Sequence, residues 1–137
     1  MSVIVDTGPL VAFINKKDQF HLWSKKVFES ISPPLITCES VISESVYLLK
    51  KYPNGVNIIF QILERGLVKV DFSLANEINN VKGLVEKYSD VLMSVADACL
   101  VRLAELNPKT PILTVDSDFL IYKMFGNKSL VTISPIS

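Results

Sequence analysis

Apolar residues in this chain fall into two kinds of run. Short blocks rich in β-branched residues, Ser2 to Val5, Leu35-Ile36, Leu67 to Val70, Pro111 to Val115 and Leu130 to Ile133, read as strands buried on both faces. Between them, apolar residues recur at spacings of three and four, the mark of an amphipathic helix. This spacing predicts helices over about Phe20 to Ile31, Ser40 to Lys51, Val56 to Arg65, Ser73 to Tyr88, Ser94 to Glu105 and, briefly, Phe119 to Phe125. A further helix opens at Gly8-Pro9, where proline suits a first turn. Ser32-Pro33-Pro34, Pro53-Asn54-Gly55, Gly66, Ser89-Asp90 and Asn107-Pro108 supply the stops. Strands alternating with helices imply an α/β fold: one three-layer domain over 1–137, with a central parallel sheet between helices. The strand order does not follow from these rules.

Composition narrows the function classes. Hydrophobic residues make up 49% of the chain, yet no run approaches the roughly 18 apolar residues of a membrane helix. The excess reads as a large core plus surface that a partner or a second copy covers. Fourteen basic residues balance fourteen acidic ones, which argues against a dedicated nucleic-acid clamp but leaves room for a local site. The start, MSVIVDTGPL, lacks the charged and apolar regions of a secretion signal, so a cytoplasmic setting is expected. Cys38 and Cys99 have neither metal-type spacing nor the look of a disulfide framework. The single histidine, His21, excludes any site built from several imidazoles, and a structural role suits it better. Trp23 reads as a packing anchor. Lys16, Lys17, Lys50, Lys51, Arg102 and Lys123 are candidate phosphate contacts that solvated surfaces explain equally well.

The acids are more informative. Val3-Ile4-Val5-Asp6 and Ile112-Leu113-Thr114-Val115-Asp116 are two strands that end in aspartate. In an open α/β sheet, the carboxyl ends of the strands line the crevice where ligands bind. The plainer alternative is that each aspartate caps the helix that follows it. Asp118 falls in a first helical turn, where an acid is also favoured by the helix dipole. Glu44, with Val41, Tyr47 and Leu48 at helical spacing, and Asp97, with Met93, Leu100 and Val101, each interrupt an apolar stripe. An inward carboxylate is costly unless it is paired, for instance with Arg102, or binds a cation. Four such acids crowded together call for a divalent ion, and oxygen ligands select Mg²⁺ or Mn²⁺ over zinc. A site of this kind suits phosphodiester hydrolysis.

Asp6-Thr7-Gly8-Pro9-Leu10-Val11-Ala12, Thr37-Cys38-Glu39 with Glu44 five residues on, Ala96-Asp97-Ala98-Cys99-Leu100, and Leu113-Thr114-Val115-Asp116-Ser117-Asp118-Phe119 occur in that order. The ordered set resembles PIN-domain ribonucleases, many of which look like the toxin half of VapBC toxin–antitoxin pairs. The resemblance spans nearly the whole chain. It implies a sheet of about five parallel strands and a Mg²⁺- or Mn²⁺-dependent endoribonuclease acting on an RNA substrate. It also implies a VapB-like antitoxin as partner and, with the apolar excess, a homodimer. Carried over by position, Asp6, Glu44, Asp97 and Asp116 are the catalytic metal-site acids and Asp118 a further one. Thr7 or Thr114 would hydrogen-bond a carboxylate or the scissile phosphate.

The chain departs from that pattern at Ser94, where relatives often carry another aspartate; a serine there holds water but adds no charge. The main alternative is a non-catalytic PIN-like module that binds RNA or protein. A haloacid-dehalogenase-like phosphatase is disfavoured because Gly8 stands where its second aspartate belongs. A phosphoreceiver is disfavoured because neither its mid-sheet phosphoacceptor nor its late lysine is evident.

Overall fold

Val3, Ile4 and Val5 are fully buried, and from this segment the sheet is built outward on both sides. A computed structural model describes residues 2–136. In chain order the main elements are β1 (Ile4–Val5), α1 (Thr7–Ile14), α2 (His21–Ser30), β2 (Leu35–Thr37), α3 (Glu39–Leu49), α4 (Gly55–Glu64) and β3 (Val68–Val70). They continue with α5 (Ile78–Lys87), α6 (Val95–Leu106), β4 (Ile112–Leu113), β5 (Lys123–Met124), β6 (Lys128–Ser129) and β7 (Thr132–Ile133).

The central sheet has the order β3-β2-β1-β4-β7, and every neighbouring pair in it is parallel. The expected parallel sheet flanked by helices is therefore present. Strand order advances from β1 to β3 toward one edge, then reverses, so that β4 joins the other side of β1. The carboxyl ends of β1 and β4 thus flank the switch point, where open α/β sheets form a crevice. The backbone amide of Asp6 donates to the Leu113 carbonyl at 3.0 Å, which locks the two strand ends side by side. Among the described residues, no helix is long and apolar enough to cross a membrane.

Two helices expected from periodicity are shorter or absent. Of the predicted helix over Ser73 to Tyr88, only Ile78–Lys87 is helical. Its first part is a turn in which Leu74, Ala75 and Asn76 are exposed, so no packing offsets the entropy of ordering it as helix. The predicted helix over Phe119 to Phe125 is instead a single 3-10 turn, Ser117–Leu120, followed by an antiparallel hairpin of β5 and β6. Phe125 and Gly126 both take positive φ, 50° and 85°, a backbone that reverses the chain and cannot continue a helix.

Candidate active site

Asp6 leaves β1 in an extended conformation and caps α1. Its Oδ1 accepts the Thr7 backbone N–H at 2.7 Å, and its Oδ2 accepts the Thr114 hydroxyl at 2.8 Å. The side chain is only 7% exposed. Burial pushes its pKa up to about 7, against the pull of the bonds from Thr114 and Thr7 and with help from the charges of Asp97 and Asp116. Thr114 Oγ1 also accepts the backbone N–H of Asp116 at 2.9 Å, so one hydroxyl ties both strand-end acids together. The Thr7 hydroxyl, by contrast, is buried and has no hydrogen-bond partner.

Asp97 lies in the first turn of α6, whose N-cap is Ser94. Ser94 Oγ accepts the Asp97 backbone N–H at 3.0 Å. The Asp97 carboxylate faces the strand ends, and its Oδ2 accepts the hydroxyl of Tyr122 at 2.9 Å. Burial raises its pKa, opposed by the Tyr122 bond and reinforced by Asp116. Asp116 caps the 3-10 turn by accepting the Asp118 N–H at 2.9 Å. Carboxylate oxygens of Asp97, Asp116 and Asp118 all come within 4.8 Å of one another. Asp6, Glu44, Asp97 and Asp116 line one open cleft of about 440 Å³, with Thr7, Gly8 and Ser94 beside them.

The five acids singled out in the sequence are therefore brought to one region in unequal ways. Asp97, Asp116 and Asp118 form the tight group, Asp6 sits buried beside it, and Glu44 stands on the cleft wall outside it. Glu44 is also not the inward-facing charge its neighbours suggested. α3 buries Val41, Ser45 and Leu49, whereas Tyr47 and Leu48 are 70% and 42% exposed and Glu44 is exposed with them. Of the apolar neighbours of Glu44, Val41 is buried, and Tyr47 and Leu48 are surface.

An ion pair does not explain Asp97. Arg102 bonds Glu77 and Glu105 instead, and among the described residues the remaining ion pair joins Lys82 to Glu86. Three carboxylates crowded without a cation, a fourth buried beside them and an unpartnered hydroxyl in the same wall fit a hard divalent ion held by oxygen. Within the cleft lining, no His or Cys is present to favour zinc.

His21 Nδ1 lies 2.7 Å from the Ala12 carbonyl, a tie between α1 and α2. Trp23 packs edge-on to Phe20. Lys16, Lys17, Lys50 and Lys51 are exposed, and Lys123 Nζ donates to Ser129. A second cavity, walled by Phe13, Phe28, Ile31, Leu35, Ile62 and Val68 with Glu29 at its side, has almost no polar surface to carry chemistry. Tyr122 is the contact that sequence reasoning missed. It falls in the segment assigned to a helix, where an aromatic at apolar spacing signals only core.

A family model described as PIN domain matches residues 3–123. Ribonuclease VapC26 of Mycobacterium tuberculosis is 30% identical over 118 residues, covering 83% of this chain and 86% of that protein. The crystal structure of Mycobacterium tuberculosis VapC20, described as a toxin that cleaves the sarcin–ricin loop, superposes with a TM-score of 0.76. It covers 85% of this chain and 91% of the other at 19% identity, a likeness of fold.

Proposed function

The chain belongs to the PIN-domain family, and on that footing we propose that it is a divalent-metal-dependent endoribonuclease, the toxin of a toxin–antitoxin pair. The observation that carries this proposal is the convergence of Asp97, Asp116 and Asp118 within 4.8 Å at the switch point of the sheet, with no counter-cation among the described residues. Asp97, Asp116 and Asp118 would hold Mg²⁺ or Mn²⁺, with Asp6 and Glu44 completing the acidic wall. When bound, such an ion supplies Lewis-acid stabilisation of phosphoryl charge and an activated water.

The protein's own groups set the geometry. Thr114 fixes the Asp6 carboxylate and the Asp116 backbone, and Ser94 fixes the start of α6. The unpartnered Thr7 hydroxyl is a donor available to a phosphate oxygen in the cleft. No lysine or arginine lines that cleft, so within it the ion would supply the attraction for the RNA backbone. The exposed Tyr47, Leu48 and Phe60 on α3 and α4 support a VapB-like antitoxin or a second copy of the chain as cover, in a cytoplasmic setting where RNA is met.

The test is incubation of a labelled total RNA pool with the folded protein in chelator, Mg²⁺ or Mn²⁺. Discrete cleavage with metal, abolished by chelator and by Asp97→Asn, is the expected result. No cleavage under any metal, with RNA binding retained, would replace the proposal by a non-catalytic RNA-binding module.

A further inference from the structure

The hydroxyl of Tyr122 occupies an unusual place for a core aromatic. The side chain is 1% exposed, and its ring packs edge-on against Tyr88 and Phe119 at centroid distances of 5.1 and 5.3 Å. Phenylalanine would serve that packing equally well. The hydroxyl instead donates to Asp97 Oδ2 at 2.9 Å, engaging one oxygen of that carboxylate and leaving Oδ1 for other contacts.

The backbone around Tyr122 is braced from outside. The Lys123 backbone N–H donates to the Tyr88 hydroxyl at 2.8 Å. The Phe125 N–H donates to Glu105 Oε2 at 2.6 Å, and Lys87 Nζ donates to the Gly126 carbonyl at 3.1 Å. β5 and β6 pair only with each other, in a two-stranded sheet apart from the main one. The small hairpin is thus anchored to the end of α5 and to α6, the helix that carries Asp97. Tyr122 and Asp97 are held to one frame.

We propose that Tyr122 is a positioning residue of the metal site: its buried hydroxyl, braced by the β5–β6 hairpin, holds Asp97 turned toward Asp116 and Asp118. The inference rests on the metal-nuclease function proposed above. Groups that orient a metal-ligating side chain typically change metal affinity by about 10- to 100-fold when removed. Because Tyr122 is buried, its role runs through Asp97 and not through contact with RNA.

The experiment compares wild type with Tyr122→Phe by titration calorimetry with Mn²⁺, by melting in chelator and by RNA cleavage across a Mn²⁺ series. Mn²⁺ affinity should fall about tenfold in Tyr122→Phe while the variant stays folded in chelator. Cleavage should fall at limiting Mn²⁺ and recover at excess Mn²⁺, with KM for RNA unchanged, a rescue that a damaged fold does not give. Tyr88→Phe, which removes one anchor of the hairpin, should weaken Mn²⁺ binding by about threefold and reports even where Tyr122→Phe fails to fold. Mn²⁺ affinity within about twofold of wild type in every folded variant overturns the role of Tyr122. Absence of Mn²⁺ binding by wild type overturns the metal site itself, and the inference with it.

Discussion

Replacing Asp6 by asparagine should stabilise the metal-free protein at pH 8, although it removes a side chain with two good hydrogen bonds. An aspartate in the unfolded chain titrates near 3.9, and in the fold burial raises that of Asp6 to about 7. The difference is about 3 units, or roughly 4 kcal/mol, charged against the fold whenever Asp6 is ionised. That difference already contains the pull of the Thr114 and Thr7 bonds on the charged form. Asparagine removes the cost, still accepts the Thr7 N–H and gives back only a neutral bond from Thr114, about 1 kcal/mol. A net gain of about 3 kcal/mol remains, roughly 10 °C in Tm for a domain of this size.

The pH dependence has a definite sign. A folded pKa above the unfolded one gives stability that is complete below about pH 4 and lost as pH rises toward about 7. Metal-free wild type should therefore melt higher at pH 5 than at pH 8, and Asp6→Asn should lack that contribution. Adding Mn²⁺ should reverse the order of the two proteins. Wild type gains about 4.1 kcal/mol at a thousandfold excess over Kd, and the variant gains less. Thermal melts of both proteins in chelator and in Mn²⁺, at pH 5 and pH 8, provide the measurement. A lower Tm for Asp6→Asn in chelator at pH 8, with the wild-type pH dependence retained, would refute the reasoning and make Asp6 a plain structural cap.

Three further predictions accompany it. Asp97→Asn and Asp116→Asn should each reduce Mn²⁺-dependent RNA cleavage at least about tenfold, read as initial rates on a fixed RNA, because each weakens the charge that holds the ion. Ser94→Asp should tighten Mn²⁺ binding in calorimetry, since the residue lines the cleft and aspartate preserves the N-cap bond to Asp97 that serine now makes. Gly8→Ala should lower stability by about 1–3 kcal/mol in denaturant titration, because the added Cβ would overlap Val115 Cγ2 between α1 and the end of β4.

Much of the architecture was readable because strand and helix periods differ and the strand cores are unbroken blocks. β1, β3, β4 and β7 lie within the segments that pattern picked out, β2 runs one residue past its own to Thr37, and the ordered acidic motifs named the family. What the sequence concealed lies where tertiary context decides. The β5 and β6 strands are two residues each, too short to show a period of two, although Gly126-Asn127 carried a turn signal. Phase failed on α3: Ser45, a polar residue, is fully buried, while Tyr47 and Leu48 face out, so an apolar stripe pointed the wrong way. Arg102 appeared as a neighbour for Asp97, but the two side chains on one helix turn to different partners. Long-range ties such as Thr114 to Asp6, 108 positions apart, leave no local trace at all.

The sheet order also fixes when the acidic centre can be assembled. β1 lies at the centre of the sheet, yet its neighbour β4 is among the last strands made. Chains emerge from the ribosome N-terminus first, so β1, β2 and β3 are available for pairing while the other side of β1 is still bare. Asp6 waits there without Thr114, and the acids at 97, 116 and 118 have yet to be translated or threaded into place. The three clustered acids therefore come together only once the last quarter of the chain has been made. A chain that stops anywhere before Asp116 lacks at least two of the three clustered acids, Asp116 and Asp118.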